Sequence, residues 1–358
     1  MICYTITIMD TAVIYEVPDH WIKYDKESVF EELSNAKAAV LTLKAIPFQK
    51  RWVEALQKMQ LKMEVAGTSQ IEGADFAGNE LESAMRAETA EELHTRSQKQ
   101  ANAVLKAYKW IATVPDDMPV DEKLMKHLHS IVVTDCDEDH CAPGQLRSDL
   151  QNVTFGVPKH RGARGGEECR VAFLQLSNEV QKEYKQNDPL IQALALHYHF
   201  AALHPFQDGN GRTARVLEAL MLQRAGLKNS LFIAMSNYYY EEKRTYLQAL
   251  ADVRAQGNNL TAFIKFGLRG IALQATRLLT MIRNEVSKQL FRNLMHELFA
   301  RLESTRKRVI VKRQLVLLDQ LLDADERVEW PNLIESNIAH YASRRIPIQA
   351  LVRDVNKL

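Results

Sequence analysis

The chain has 358 residues, enough for two or three domains that each bury a hydrophobic core without disulfide bonds. Its 46 lysines and arginines balance 45 aspartates and glutamates, so overall charge favours neither nucleic acid nor anionic lipid. Four cysteines without paired spacing fit a reducing compartment, and no uncharged run reaches the roughly 20 residues that cross a bilayer. These features predict a cytoplasmic protein without a membrane partner, in which any phosphate contact comes from a local group of residues.

Helical periodicity dominates the first half of the chain and predicts helices over 26–45, 48–66, 78–112 and 121–133. The polar loop DCDEDHCAPGQ follows. Cys136, Asp137, Asp139, His140 and Cys141 in this loop suggest a metal site, but the cysteines lack a second paired motif, so a solvated acidic loop is the favoured interpretation. The next segment, LQNVTFGV followed by HRGARGGEE, predicts a short hairpin or flap.

The second half begins with residues 189–203, which are apolar on nearly every side and therefore predict a helix buried at a domain centre. Further helices are predicted over 211–225 and 260–302. Residues 308–358 contain three short helical patterns, of which the third is basic. The sequence thus predicts an all-α architecture with one small β element.

The segment His204–Arg215, HPFQDGNGRTAR, joins the two central helices and contains groups suited to phosphate. Pro205 biases His204 away from helical geometry, so the buried helix must end with His204 at its mouth. The run Asp208–Gly211 tolerates positive φ and precedes a helix whose first amides and dipole favour anions. This arrangement predicts a tight loop with its N–H groups turned inward.

Charged and titratable side chains complete this loop. Arg212 and Arg215 are three residues apart in the first helical turn and could hold two or more phosphates. His204 is a candidate general base because histidine titrates near working pH, and Asp208 suits Mg²⁺. Each residue alone has an ordinary structural explanation. Together they predict a magnesium-dependent transfer of a phosphorus-centred group to a hydroxyl.

The same segment resembles the signature motif of the Fic family without a gap or a departure. The segment Pro143–Arg147 is similar to the one before the family's flap, and His197 falls in the family's core helix. The similarity covers residues 100–255. It implies a Fic-type helical bundle with a β-hairpin flap as catalytic core, an N-terminal helical region at 1–99 and a C-terminal helical region at 256–358.

The resemblance implies transfer of AMP from ATP to a serine, threonine or tyrosine hydroxyl of a protein target. His204 would deprotonate that hydroxyl, and Asp208 would hold Mg²⁺ on the phosphates. The phosphates of ATP would bind to the amides around Gly209, Asn210 and Gly211. The side chains of Arg212 and Arg215 would bind them as well.

Two further groups of residues have roles only through the resemblance. The flap would dock the target by main-chain pairing; its residues would be Thr154, Phe155, Gly156 and Val157. Three tyrosines fall where the family often lines its adenine pocket, although such spacing is more common in a core; they are Tyr238, Tyr239 and Tyr246.

A second motif, TSQIEG at Thr68–Gly73, matches the family's inhibitory pattern. Gly73 predicts a helix end with Glu72 in the last turn, where a carboxylate opposes the helix dipole unless a cation compensates. Without the resemblance, Glu72 would be an ordinary surface residue. The resemblance implies that Glu72 pairs with Arg215 and blocks productive ATP binding. A charge-assisted bond of about 1.5–3 kcal/mol corresponds to a roughly ten- to hundredfold effect.

The C-terminal helices resemble the helix-turn-helix half of a winged-helix module that lacks its wing. DNA binding, packing and homodimer formation are therefore open alternatives for this region. For the whole chain, the competing hypotheses are an AMP transferase, a DNA-associated regulator whose core senses nucleotide, and an enzyme that removes AMP or transfers another phosphate-linked group.

Overall fold

The computed structural model describes residues 13–46, 50–156, 159–227, 232–300, 305–324, 328–342 and 344–357. By contacts the chain divides into two compact units, Met1–Leu278 and Leu279–Leu358. This division does not coincide with the boundaries expected after residues 99 and 255, which stay predictions. No helix within the described ranges is long and apolar enough to span a membrane.

The first unit is built from helices, which confirms the predicted all-α class. The helices are α1 (Lys26–Ala45), α2 (Lys50–Ile71), α3 (Glu80–Arg86), α4 (Arg96–Thr113), α5 (Glu122–Val133), α6 (Glu167–Val180), α7 (Pro189–Leu203), α8 (Asn210–Leu222), α9 (Met235–Glu241) and α10 (Lys243–Ala255). A longer helix, α11, comprises Thr261–Ala300. Helices α6, α9 and α10 had no counterpart among the sequence predictions.

The helix expected over 78–112 is interrupted, so that prediction was wrong in its extent. Capping boxes at Thr89 with Glu92 and at Thr95 with Gln98 begin a 3-10 turn and helix α4. In each box the side chains satisfy main-chain N–H groups that a continuous helix would have bonded itself. Local capping therefore starts new helices within a continuous helical pattern.

Three short strands form the β element: β1 (Val13–Ile14), β2 (Thr154–Phe155) and β3 (His160–Arg161). Strands β2 and β3 make the antiparallel hairpin that the sequence predicted, with Phe155 opposite His160. Strand β1 adds to this hairpin in parallel alongside β3, which the sequence analysis did not anticipate. Val157, one of the expected flap residues, lies outside the described residues.

Helices α7 and α8 form the centre of the first unit. Twelve of the fifteen residues of α7 and twelve of the thirteen of α8 are buried. Helix α7 begins at Pro189 after the Asp188 cap, because proline suits a first turn whose N–H has no helical partner. The loop between these two helices is therefore anchored at both ends by buried helices, while Gln207 and part of Asp208 reach the surface.

Helix α2 packs closely against α9. A β-carbon at Gly67 would lie 2.6 Å from main-chain atoms of Ser236 and Asn237, so only glycine allows this approach. One turn earlier, buried Glu64 accepts hydrogen bonds from the Ser236 amide at 2.7 Å and the Tyr108 hydroxyl at 2.6 Å. Burial raises the pKa of Glu64 to about 7 against the effect of these bonds. The end of α2 is thus fixed on the first unit by packing and by a buried carboxyl group.

The second unit contains α12 (Thr305–Asp323), α13 (Trp330–Asn337) and α14 (Pro347–Val355). Its core consists of Leu317, Leu333, Tyr341, Ala350 and Leu351. Buried Asp354 of α14 accepts hydrogen bonds from Tyr341 at 3.0 Å and from Arg313 of α12 at 3.2 Å, so a buried carboxylate joins these helices. The described residues of α12 to α14 include no strand, and the DNA-binding and homodimer hypotheses stay predictions.

We expect Gly67→Ala to lower the free energy of unfolding by about 1–3 kcal/mol, because the added methyl group overlaps the α9 main chain. Helix propensity alone predicts that the free energy of unfolding rises instead, since alanine in a helix is favoured over glycine by about 1 kcal/mol. Denaturant unfolding distinguishes the two, with Ala55→Val at an exposed position of α2 as control. A more stable Gly67→Ala protein would show that the two helices are not in such close contact.

Candidate active site

His204 ends helix α7 in a left-handed conformation, with φ of 53°. Its Nδ1 lies 3.1 Å from the Ala201 carbonyl oxygen. Because a carbonyl only accepts hydrogen bonds, Nδ1 must carry the proton, which leaves a lone pair on Nε2. Burial lowers the pKa of His204 to about 4, although the bond to Ala201 acts in the opposite direction. The imidazole is therefore neutral near pH 7 and has the protonation state of a base.

Arg147 links the His204 end of the loop to the segment that carries the flap. It is 2% exposed, and its Nε donates to the His204 carbonyl at 2.7 Å. The remaining nitrogens donate to the carbonyls of Gln151, at 2.7 Å, and Ala163. Burial lowers the pKa of this arginine. A single buried guanidinium group thus positions three main-chain segments, a role that the PGQLR motif alone did not indicate.

The flap covers one face of His204. The Phe155 and His204 rings are stacked, with centroids 4.0 Å apart and planes 13° apart. Thr154 and Gly156 on either side are exposed, and Gly156 has a φ of +76° at the turn. The stacked ring keeps water from that face of the imidazole, which is the desolvation that lowers the pKa of His204.

The start of α8 presents main-chain amides, as expected. Gly209 precedes the helix with a φ of +74°, and the first N–H groups of a helix have no acceptor within it. The Asn210 side chain is occupied within the loop, because its Oδ1 and Nδ2 bond the Phe206 amide and carbonyl, each at 2.9 Å. Asn210 can therefore offer an anion its main-chain amide, while its side chain maintains the shape of the loop.

Glu72 lies against this helix start and pairs with Arg215. A β-carbon at Gly211 would collide with Glu72 Oε1, so the carboxylate lies directly against the loop main chain. Arg215 is 3% exposed, and its Nε donates to Thr68 Oγ1 at 2.6 Å. Burial raises the pKa of Glu72, but the Arg215 charge and hydrogen bond outweigh it, so the net pKa is lowered. The carboxylate stays ionised throughout the neutral range.

One detail of the inhibitory motif differs from the sequence expectation. Helix α2 ends at Ile71, so Glu72 is the first residue beyond the helix rather than part of its last turn. Gly73 follows with a φ of +93°. The Lys243 ammonium donates to the Ile71 carbonyl at 2.8 Å and supplies a cation at the helix end. The electrostatic cost of Glu72 is thus offset by Lys243 and Arg215 together.

The loop after α5 was expected to be solvated, and for Asp137 and Cys141 this was wrong. Asp137 is fully buried, where Arg212 contacts its Oδ2 at 2.7 Å and Arg96 of α4 contacts its Oδ1 at 2.6 Å. Burial raises the pKa of Asp137, but these arginines lower it to about 2. Arg212 is therefore oriented by Asp137, which lies 75 positions earlier in the chain (212 − 137). Sequence spacing alone gives no reason to connect these two residues.

Asp208 is the half-exposed carboxylate of the loop. His140 Nε2 lies 2.9 Å from its Oδ2 and Arg96 lies 3.3 Å from the same oxygen. Ligand atoms of Asp137, His140 and Asp208 all lie within 4.8 Å of one another, a grouping that could hold a metal ion. The sequence analysis had weighed Asp137 and His140 as metal ligands and favoured a solvated loop, and it had not connected them with Asp208.

His129 of α5 also supports the loop. Its Nδ1 accepts a hydrogen bond from the Gly144 amide at 3.0 Å, so its Nε2 donates to the Asp208 carbonyl, also at 3.0 Å. Its ring stacks on Phe206 at 3.6 Å. Burial lowers the pKa of His129 to about 4, which keeps this donor and acceptor pattern fixed at neutral pH.

The three tyrosines expected near adenine are buried. Tyr238, Tyr239 and Tyr246 are 7%, 0% and 3% exposed. The Tyr239 hydroxyl donates to Glu218 at 2.8 Å, and the Tyr246 hydroxyl lies 2.9 Å from His197 Nε2. These contacts agree with the core alternative that the spacing allowed, so we do not assign the tyrosines to adenine binding.

Comparisons with known proteins show to which proteins this chain is similar. The Fic/DOC family model matches residues 119–222. Protein adenylyltransferase Fic of Nematostella vectensis is 25% identical over 244 residues, which are 68% of this chain and 47% of that protein. Protein adenylyltransferase fic-1 of Caenorhabditis elegans is 51% identical over 39 residues, or 11% of this chain and 8% of that protein. The chain thus spans less than half the length of these relatives.

Two solved structures share the fold. Residues 134–508 of Fic-1 from C. elegans superpose with a TM-score of 0.59 at 16% identity, covering 72% of this chain and 74% of that chain. A Fic family protein from Desulfovibrio desulfuricans G20 superposes with a TM-score of 0.60 at 14% identity, covering 90% and 86%. The helical bundle with its flap and phosphate-type loop is the fold of Fic proteins. Residues 119–222 are thus similar to Fic/DOC domains in sequence, and the fold agrees with that similarity.

We expect His204 to remain neutral down to about pH 4, because burial disfavours its charged form. Phe155→Ala uncovers the ring and should raise the pKa of His204 towards the ordinary value of about 6.5. Nitrogen-detected NMR titration of His204 measures both values. Phe30→Ala, which removes a 71% exposed ring, is the control. A wild-type midpoint between pH 6 and 7 would contradict the expectation.

Proposed function

We propose that this chain transfers AMP from ATP to a hydroxyl group of a protein substrate and that Glu72 inhibits the transfer. The observation that carries the proposal is the neutral His204, with a lone pair on Nε2, beside the amide-rich start of α8. The adenylyltransferase names of the relatives support the same activity. Removal of AMP and transfer of another phosphate-linked group use similar phosphate contacts and are alternatives that product mass distinguishes.

The proposed reaction needs one proton acceptor and a set of phosphate contacts. Nε2 of His204 takes the proton of the substrate hydroxyl while its oxygen bonds to the α-phosphorus of ATP. The bond between that phosphorus and the bridging oxygen breaks, and pyrophosphate leaves. The amides of Gly209–Gly211 and the side chains of Arg212 and Arg215 stabilise the phosphate charge.

Asp208 fits the magnesium ion that this activity implies. Its side chain is 36% exposed, and carboxylate oxygens are ligands that Mg²⁺ prefers. A bound ion would supply positive charge to the phosphates. In the described structure His140 and Arg96 contact the same carboxylate oxygen of Asp208. A bound metal ion would have to displace at least part of these contacts.

Inhibition follows from the position of Glu72. Its carboxylate occupies the place over Gly211 where a phosphate would meet the helix amides, and it pairs with Arg215. A phosphate at that place would be repelled by the carboxylate and deprived of Arg215. Because the pKa of Glu72 is lowered, protonation relieves this repulsion only below the ordinary glutamate pKa, not near neutrality.

We expect Glu72→Gly protein with ATP and magnesium to gain the mass of one or more AMP groups, while wild type gains roughly ten- to hundredfold less. Intact-mass spectrometry measures this self-modification. The double variant Glu72→Gly with His204→Ala should show no gain, and Glu88→Gly at an exposed loop position should behave as wild type. Equal labelling of Glu72→Gly and wild type would refute the inhibition.

We expect Lys243→Ala to release the inhibition in part and to raise AMP incorporation about two- to fivefold. The reason is that Lys243 caps α2 next to Glu72, and a cation at a helix end contributes about 0.3–1 kcal/mol. Lys243→Arg should stay near wild type, as should Lys182→Ala, which removes a 71% exposed lysine. An unchanged rate in Lys243→Ala would show that the helix end holds Glu72 without this cation.

A further inference from the structure

A second group of polar atoms lies beside His204 without partners in the described parts of the chain. His160 of β3 is 2% exposed, and neither of its ring nitrogens has a hydrogen-bond partner there. The buried Nε of Arg254, in α10, also has no hydrogen-bond partner among the described residues. The ring of Phe155 connects both to His204, because its centroid lies 6.4 Å from that of His160 and 5.3 Å from the Arg254 guanidinium carbon.

Burying such groups without partners is costly, since each leaves a hydrogen bond unmade that water would have supplied. Burial lowers the pKa of Arg254 to about 10, so the guanidinium group remains charged near pH 7. The ionisable groups that affect the pKa of Arg254 are the phenols of Tyr198 and Tyr246, which are uncharged near pH 7. His160 is neutral, because burial and then the Arg254 charge lower its pKa to about 4. The pair offers one positive charge and unsatisfied N–H donors.

The location of this pair indicates which ligand it meets. Phe155 and His160 are opposite each other in the hairpin, so both point to the face of the flap that contacts His204. The phosphate-binding candidates belong instead to α8 and are engaged by Glu72, Thr68 and Asp137. A group that reaches Arg254 therefore approaches along the flap, which is the path proposed for the protein substrate.

We propose that Arg254, assisted by His160, binds a carboxylate of the protein substrate two residues from the hydroxyl that His204 deprotonates. The inference rests on the proposed function. A substrate segment paired with the flap is extended, so its side chains alternate and residues two apart point to the same face. When one such side chain presents its hydroxyl to His204, the next on that face lies towards Arg254. The site thus selects acidic residues at that spacing.

Peptide binding tests the proposal without relying on catalysis. The probes are fluorescent peptides with a central serine, threonine or tyrosine and glutamate two positions to either side, and matched peptides with glutamine there. Fluorescence polarisation with His204→Ala protein should show about tenfold tighter binding of the glutamate peptides. Arg254→Ala should abolish this preference, and Arg254→Lys should retain part of it. Arg244→Ala, at an exposed position of the same helix, is the matched control.

Each outcome decides one point. Equal binding of glutamate and glutamine peptides, including no binding of either, overturns the proposal. So does a preference that survives Arg254→Ala. Weaker ATP binding in Arg254→Ala, measured by calorimetry in the Glu72→Gly background, would show that the anion is a phosphate of the nucleotide instead. If Glu72→Gly transfers no AMP while the peptide preference depends on Arg254, the proposed function fails and the carboxylate site stands.

Discussion

The site depends on one constraint, which is that a polar loop joins two helices that are almost completely buried. Main-chain and side-chain polar groups placed inside a protein need hydrogen-bond partners, or the fold loses the free energy of their hydration. The loop meets this requirement with Asn210, which bonds Phe206, and with Arg147 and His129, which bond loop carbonyls. The partners come from α5, the flap segment and the loop itself. Their contacts give the loop a single shape.

The charges at the start of α8 follow from the same burial. Arg212 and Arg215 are 2% and 3% exposed, and a buried guanidinium group needs hydrogen-bond or ion-pair partners. Asp137 pairs with the first and Glu72 with the second. The two carboxylates differ in their access to solvent, because Asp137 is fully buried whereas the Glu72 side chain is 39% exposed. Asp137 therefore belongs to the permanent structure, and Glu72 is the partner that a phosphate could replace.

Desolvation gives the loop its proposed chemistry. Phe155 covers one face of His204, and the Ala201 carbonyl determines which nitrogen carries the proton. Desolvation lowers the pKa of His204 and so keeps the imidazole neutral near pH 7, with Nε2 free to accept the proton of a hydroxyl. The flap residue that shields the base also borders Arg254, so the proposed proton acceptor and the proposed carboxylate site share one wall. Substrate docking on the flap would then affect both at once.

Sequence alone determined the helical class, the exact limits of α1 and α7, and the twelve-residue segment His204–Arg215 with its histidine, carboxylate, glycines and arginines. These features are local, because apolar periodicity, a proline after His204 and glycines at positive φ act within a few residues. The tertiary structure decided the rest. It brought Asp137 and His140 to the loop, directed Glu72 onto Gly211, buried the three tyrosines and placed Arg254 beside the flap. Those contacts join residues tens to more than a hundred positions apart, and only the packing of the helices brings such residues together.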